Sequence, residues 1–273
     1  MNKTVLITGS SSGIGKAAAK YFAAKGWNVI ATMRNPEKEQ ELKDVFVTKL
    51  DVQQPETIVA AIKSGIEKFG SIDVLINNAG YGEFGIFESA SREQVNTQFE
   101  VNVIGVMDTI RAILPHFRER KSGTIINISS GAGRFTLPMI SLYCASKFAL
   151  EGFSEALSFE LSALNIGVKI VEPGGTTTNF GKVSFEKFSG AKPIADYDTF
   201  TAAAGKMFDA MREMQLATAA EVAAVIYEAA TDGTDTLRYI VGNDDFKKRI
   251  NDRLTLPDQD YLGAVKNAYL KFM

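Results

Sequence analysis

Thr4-Val5-Leu6-Ile7-Thr8-Gly9-Ser10-Ser11-Ser12-Gly13-Ile14-Gly15 runs from a short apolar strand through a glycine-rich turn into a helical pattern that places Ile14, Ala18, Tyr21 and Phe22 on one face. Free N–H groups at a helix N-terminus bind phosphate, and glycines let backbone approach a ligand and accept positive φ. Gly9-x-x-x-Gly13-x-Gly15 is not the Gly-x-Gly-x-x-Gly fingerprint of the better-known dinucleotide folds. A plain tight turn also fits it, so its weight depends on what surrounds it.

Outward from this unit, strands and helices alternate. Gly26 ends the first helix, and Asn28 to Met33 reads as a second, buried strand closing at Arg34. In a doubly wound sheet the position about 20 residues past the glycine turn senses the adenosine ribose, with an acid for a bare 2′-hydroxyl or an Arg for a 2′-phosphate. Here that position offers Met33-Arg34. Val45 to Leu50 is a third strand, followed by Asp51-Val52; Pro55 to Phe69 is an amphipathic helix stopped by Gly70. Val74 to Ile76 is a fourth strand running into Asn77-Asn78-Ala79-Gly80, which suits a ligand crevice or an ordinary Asn/Gly turn. Ser91-Arg92-Glu93-Gln94 is a capping box opening the longest helical stretch, to about Lys121. Asn102 lies inside that stretch, where it costs helix propensity and wants a reason. Thr124 to Ser129 is a fifth strand that delivers Ser130, and Val168 to Glu172 is a sixth, capped by Pro173-Gly174. The pattern predicts an α/β fold with a parallel doubly wound sheet and ligands at the strand carboxyl ends.

Between the fifth and sixth strands stands Tyr143-Cys144-Ala145-Ser146-Lys147 on a predicted helix to about Leu164. Side chains four apart leave one helix face, so an ammonium is expected close to a phenol. A Tyr titrates near pKa ~10 in water, and a fixed positive charge beside it favours the phenolate, toward the working range of a proton donor or acceptor. Tyr-x-x-x-Lys pairs also occur on ordinary exposed helices. Cys144 reads as a small buried residue.

Residues 175–217 break the alternation and carry Phe180, Phe185, Phe188, Tyr197, Phe200, Met207, Phe208, Met211 and Met214. Such a segment serves either as a lid over an apolar substrate or as core or subunit-interface packing. Thr218-Ala219-Ala220-Glu221 is a second capping box, opening a helix to about Ala230; Leu237 to Val241 is a last strand, and the remainder is predicted helical around Pro257.

The composition narrows the chemistry. With 45% hydrophobic and 23% charged residues, a net charge of -2 and a pI near 5.7, the chain reads as ordinary globular protein without a basic face for nucleic acid. Its 273 residues suffice for a sizeable core. No apolar run reaches the roughly 18 residues of a membrane span, and Met1-Asn2-Lys3 leads straight into the first strand, so a cytoplasmic location is expected. A single cysteine and a single histidine, His116, argue against a disulfide framework, a Cys/His metal site and a histidine-based triad. No metal is expected. Catalysis falls to Ser, Tyr, Lys, Asn or carboxylates.

Taken together, residues 3 to 242 resemble the short-chain dehydrogenase/reductase family. The resemblance rests on Thr8-Gly9-x-x-x-Gly13-Ile14-Gly15, Asn77-Asn78-Ala79-Gly80, Asn102, Ser130, Tyr143-x-x-x-Lys147, and Pro173-Gly174 with Thr176 and Thr178. Ala31-Thr32-Met33-Arg34-Asn35-Pro36 looks most like its NADPH-using hydroxysteroid and retinol dehydrogenase-like branch. The resemblance implies a single Rossmann-type domain over 1–273, with a substrate lid at 175–217 and a C-terminal helical extension at 243–273. It implies that Tyr143 exchanges the proton with the alkoxide, Ser130 hydrogen-bonds the carbonyl oxygen, Lys147 lowers the Tyr143 pKa and holds the nicotinamide ribose, and Asn102 holds a water leading from Lys147 to solvent. NADP(H) is the implied cofactor, contacted by Gly9, Ser11, Ser12, Gly13, Ile14, Gly15, Arg34, Asp51, Val52, Asn78, Ala79, Gly80, Tyr143, Lys147, Pro173, Gly174, Thr176 and Thr178. The implied substrate is an apolar carbonyl compound or alcohol, and the implied assembly a homodimer or homotetramer. The sequence departs from the family pattern at Gly175-Thr176-Thr177, where a larger apolar residue is usual. Competing readings are a sugar-nucleotide epimerase, whose glycine spacing and larger substrate domain do not fit, a 3-oxoacyl thioester reductase, and a regulator that binds NADP without turnover.

Overall fold

Every residue of the first strand, β1 (Thr4–Ile7), is buried, as a strand covered on both faces requires. The computed structural model describes residues 2–181, 184 and 194–273. After β1 come α1 (Gly13–Ala24), β2 (Asn28–Met33), β3 (Phe46–Lys49), α2 (Pro55–Phe69), β4 (Val74–Asn77), α3 (Arg92–Phe99), α4 (Gly105–Arg120), β5 (Gly123–Ile128), α5 (Ser141–Ser162) and β6 (Ile166–Pro173). Then follow α6 (Asp198–Arg212), α7 (Ala219–Thr231), β7 (Arg238–Val241), α8 (Asp244–Thr255) and α9 (Asp258–Leu270). The strands form one seven-stranded sheet in the order β3-β2-β1-β4-β5-β6-β7, and all pairs are parallel. Each strand falls within two residues of its predicted position.

Alternation along the strands sorts the core into two layers. Val5, Ile7, Val29, Ala31, Val74 and Ile76 face α1 and α7, where Phe22 is fully buried among Trp27 and Tyr227 at ring distances of 5.1 Å. Leu6, Ile30, Leu75 and Ile125 face α2, α4 and α5. Fully burying a ring such as Phe22 contributes up to about 3 kcal/mol.

The order of strands reverses between β1 and β4. Ile7 is in register with Ile76, Asn77 with Asn127 and Ile128 with Val171, so the carboxyl ends of the central strands share one edge. A crevice outside such a reversal is where open α/β sheets bind ligands.

One sequence expectation changes here. The predicted single helix from Ser91 to Lys121 is interrupted by a π-helical turn, Glu100–Ile104, and Asn102 sits in it. The segment 175–217 divides its work: Phe200 packs on Tyr269 of α9 at 5.3 Å, whereas Phe180 and Phe208 turn toward Tyr143. Phe185 and Phe188 lie outside the described residues. The C-terminal helices close over the loop after Ser130, burying Ile250 and Tyr261 against Phe135, with the Tyr261 hydroxyl donating to Thr136 O at 3.1 Å. Among the described residues no helix is long and apolar enough to cross a membrane.

Candidate active site

The glycine turn is built by close contact rather than by flexibility alone. A Cβ on Gly9 (φ +71) would stand 2.8 Å from Ala79 Cα, and one on Gly15 would stand 2.4 Å from both Gly9 O and Asn78 Nδ2. Asn78 Nδ2 donates to Thr8 O at 2.9 Å and Gly9 O at 3.1 Å, while the N–H groups of Asn78 and Ala79 both donate to the Thr8 hydroxyl at 3.0 Å. Thr8 thus fastens β4 to the turn. Gly13, at φ +54, has only the Thr178 methyl nearby, 3.6 Å from where a Cβ would be. This brings the segment after Pro173-Gly174 to the glycine turn.

The amino end of α1 is left open. Its N-cap Ser12 makes no side-chain capping bond and its first turn holds no acid. By contrast, α3 and α7 are closed by the predicted capping boxes, Ser91 with Gln94 and Thr218 with Glu221. Uncapped N–H groups with the positive end of the helix dipole fit an anion such as a pyrophosphate.

Around the adenosine side, Ser10 N–H donates to Thr32 O at 2.9 Å and draws the turn to the end of β2, where Arg34 is exposed, as are Ser11 and Ser12. Arg34 has no acidic partner among the described residues. The acids that follow, Glu39 and Glu41, are engaged by Lys16 at 3.1 and 3.3 Å, and Glu41 also by Lys20 at 3.1 Å. Val52 is buried so tightly against α4 that a Cβ on Gly105 would meet it at 2.6 Å. Asp51 Oδ1 accepts from Gln53 N–H at 3.1 Å.

Ser130, at the end of β5, N-caps a one-turn 3₁₀ helix and accepts from Ala132 N–H at 3.2 Å; it also lies beside Tyr143, whose pKa it lowers. Tyr143 is buried, and its ring meets Phe84 at 5.6 Å and Phe180 at 5.5 Å. Lys147 shares its helix face but gives its ammonium to Ile128 O at 2.8 Å, 5.9 Å from the centre of the Tyr143 ring. Burial pushes the Tyr143 phenol up to about 12, against the opposing influence of Ser130. Burial also pushes Lys147 down to about 8, which Glu151 partly opposes. Burial thus displaces both groups, and the nearest partner of the ammonium is a main-chain carbonyl.

Asn102 uses its side chain on structure close to Tyr143. Oδ1 accepts from Tyr81 N–H at 3.0 Å, and Nδ2 donates to Tyr81 O at 2.9 Å and to the Ser146 hydroxyl at 3.1 Å. Ser146 in turn donates to Tyr143 O at 2.8 Å. Gln98, fully buried, donates to Tyr81 O at 2.9 Å and accepts from Glu83 N–H at 2.6 Å. The sequence pattern assigned no role of their own to Gln98, Ser146, Thr8 and Phe84. The signal for Gln98 and Ser146 was polarity on faces that otherwise point inward. Asn77 belongs to the core instead, bonded to Asn127 at 2.9 Å, which bonds Ser154 at 2.8 Å. Burial pushes the Cys144 thiol up to about 11, so it is a packing residue. His116 accepts from Ile72 N–H at 3.1 Å and is structural.

A family model described as "short chain dehydrogenase" matches residues 3–188. Retinol dehydrogenase 8 of Homo sapiens is 36% identical over 226 residues, covering 76% of this chain and 72% of its own. A serine dehydrogenase solved in complex with NADP+ is 30% identical with a TM-score of 0.74, covering 86% of this chain and 94% of its own. A short chain dehydrogenase/reductase of Burkholderia phymatum, solved with NAD, has a TM-score of 0.79 at 24% identity over 92% of both chains, a likeness of fold.

Proposed function

The chain belongs to the short chain dehydrogenase family, and from that premise we propose that it interconverts an apolar ketone or aldehyde and its alcohol with NADP(H). The carrying observation is Tyr143, set beside Ser130 and sharing a helix face with Lys147, buried beside the crevice where the glycine turn meets β4. NADP(H), when bound, supplies or accepts the hydride at the substrate carbon.

The residues present fit that cofactor. Gly9, Gly13 and Gly15, with the open end of α1, cradle its pyrophosphate, and Ser11, Ser12, Ile14, Asp51 and Val52 line the adenosine side. Exposed Arg34 would pair with a 2′-phosphate while Glu39 and Glu41 are committed to lysines, which supports NADP(H) over NAD(H). Asn78, Ala79, Gly80, Pro173, Gly174, Thr176 and Thr178 border the nicotinamide side. In reduction Ser130 orients the carbonyl oxygen, and Tyr143, protonated through neutrality, delivers its proton there; in oxidation the alcohol proton returns to it. Lys147, its ammonium 5.9 Å from the centre of the Tyr143 ring, would reload Tyr143, and Asn102 fixes the turn beside them.

The rings of Phe84 and Phe180 around Tyr143, with Phe208 packed on the same cluster, support an apolar substrate. The name of the human relative, a retinol dehydrogenase, points the same way. Exposed Phe148 and Phe159 on α5 support pairing of copies into a dimer or tetramer.

The test is NADPH oxidation over a panel of ketones and aldehydes of increasing alkyl or ring size. Wild type is expected to turn them over with affinity rising by about 0.8 kcal/mol for each buried CH₂. Tyr143→Phe is expected to lose about 10²- to 10⁴-fold in kcat while NADPH affinity changes little. Tight NADPH binding without turnover of any carbonyl would instead mark a nucleotide-sensing protein.

A further inference from the structure

Beneath the site lies a cluster of charges that the reaction itself does not use. Arg134 stands at the far end of the 3₁₀ turn Gly131–Gly133, whose N-cap is Ser130. Its Nη1 donates to Glu172 Oε1 at 2.8 Å, and the Glu172 side chain is wholly buried. Glu172 is the residue before Pro173-Gly174 on β6. Arg238 of β7 approaches the same oxygen at 3.3 Å, and reaches Glu151 at 3.1 Å and Glu155 at 2.5 Å on α5. Three carboxylates thus meet two guanidiniums.

Such a cluster is a poor way to gain stability. Taking charges out of water costs about as much as their attraction returns, and well-packed apolar residues of similar volume often serve as well or better. The second oxygens of Glu151 and Glu172 and the Ser129 hydroxyl, all buried, have no partner among the described residues, a further cost that apolar side chains would avoid. What a charged hydrogen bond adds that apolar packing lacks is direction. The surroundings tighten the fit: a Cβ on Gly133 would meet Glu151 Cγ at 2.8 Å, Ser129 Oγ at 2.9 Å and Lys147 O at 3.1 Å. The turn that begins at Ser130 is held against α5 on one side and tied by Arg134 to β6 on the other.

We propose that Arg134 is a positioning residue: paired with Glu172, it fastens the Ser130 turn to the end of β6, so that the Ser130 hydroxyl and the Pro173-Gly174 backbone keep one separation. The inference rests on the roles given above to Ser130 and Tyr143.

The test compares kcat and KM for the best carbonyl of the panel in wild type, Ser130→Ala, the double variant Arg134→Met with Glu172→Leu, and the triple variant combining them. Removing both partners together avoids stranding one charge in the interior. The double variant is expected to unfold near the wild-type temperature and to lose about tenfold in kcat with KM little changed, since a misplacement of an ångström costs up to ~10²-fold. In the Ser130→Ala background the same pair of substitutions is expected to cost less than about twofold, because residues acting as one unit are not additive. A double variant with wild-type kcat overturns the proposal, as does an undiminished loss in the Ser130→Ala background. Should the double variant fail to fold, Arg134→Lys, which keeps the charge, takes its place: a loss of about threefold in wild type and none beside Ser130→Ala is expected, and wild-type kcat overturns the proposal. A Ser130→Ala enzyme as fast as wild type overturns the proposal together with the function on which it rests, which separates the two failures.

Discussion

At the scale of single residues the site combines two groups displaced in opposite directions by the same cause. Tyr143 is pushed up to about 12 and Lys147 down to about 8, both by burial. The phenol is then protonated across neutrality, and the ammonium is the first of the two to lose its proton as pH rises. Carbonyl reduction is therefore expected to hold its rate through neutral pH and to fall with a single ionisation near pH 8. A rate profile that stays flat across that region would remove Lys147 from the proton path. Cofactor choice is also expected to turn on one side chain. A hydrogen bond to a charged group is worth roughly 1.5 to 3 kcal/mol, so Arg34 is expected to give about a tenfold to hundredfold preference for NADPH. Arg34→Ala should erase most of it, and Met33→Asp should reverse it by repelling phosphate and accepting from a ribose diol. Steady-state constants for both cofactors in the three proteins check this, and equal use of NADH by wild type would show Arg34 turned to solvent. That Tyr143 and Lys147 share one helix, and that Ser130 follows the fifth strand, was legible because each is set by local sequence. The ammonium's partner, Ile128 O, was not, since it lies across a strand–helix contact that no local pattern encodes.

At the scale of elements, boundaries set by local chemistry were legible in advance. Ser91 with Gln94 and Thr218 with Glu221 do form capping boxes, and Gly70 (φ +82) does stop α2. What escaped were elements whose role depends on distant partners. The helix α8 sends Phe246 into a slot between three strand ends: a Cβ on Gly131 would stand 2.2 Å from its ring, one on Gly174 2.9 Å and one on Gly242 2.4 Å. Nothing local in the sequence showed that Gly131, Gly174 and Gly242 also make room for one ring. Phe246→Ala is expected to destabilise by about 2 to 3 kcal/mol, somewhat less than a fully buried Phe, and to lower kcat by loosening the Ser130 turn. Denaturant unfolding and turnover measured on the same preparation check it. Loss of stability with unchanged kcat would confine α8 to a structural part.

The whole molecule carries a pH-dependent tie between its last strands. Lys169 of β6 is paired with Asp232, the Lys169 ammonium donates to the Tyr239 hydroxyl at 2.9 Å, and that hydroxyl donates to Asp232 at 2.5 Å. Although burial alone would raise it, the bonds from Lys169, Thr234 and Tyr239 hold the Asp232 carboxyl well below the usual carboxylate range. A carboxylate whose folded pKa is depressed stabilises the fold fully above its unfolded value, near ~4, and loses that contribution as pH falls toward the folded value. Lys169 has the opposite sign, its pKa raised despite burial by Asp232 and Tyr239, so its share is present below ~10.4 and fades above it. Asp232→Asn is expected to cost about 1 kcal/mol near neutrality, since Lys169 is buried but Asp232 itself is exposed and solvent screens the pair, and to flatten the fall in melting temperature between about pH 4 and 2. A variant as acid-sensitive as wild type would place the acid weakness elsewhere.

The π turn at Glu100–Ile104 has a consequence for helical phase. Gln98, Asn102, Val106 and Ile110 are all buried, at intervals of four. In a regular helix of 3.6 residues per turn, twelve residues put Ile110 about 120° around the axis from Gln98. One residue absorbed in a wider turn leaves only about 20°, so two amides that grip Tyr81 and two apolar side chains that grip the sheet lie along nearly one line. The surplus residue acts as a phase corrector between α3 and α4. Excising it would rotate one end against the other by about 100°, and either the amides or the apolar anchors would turn out to water.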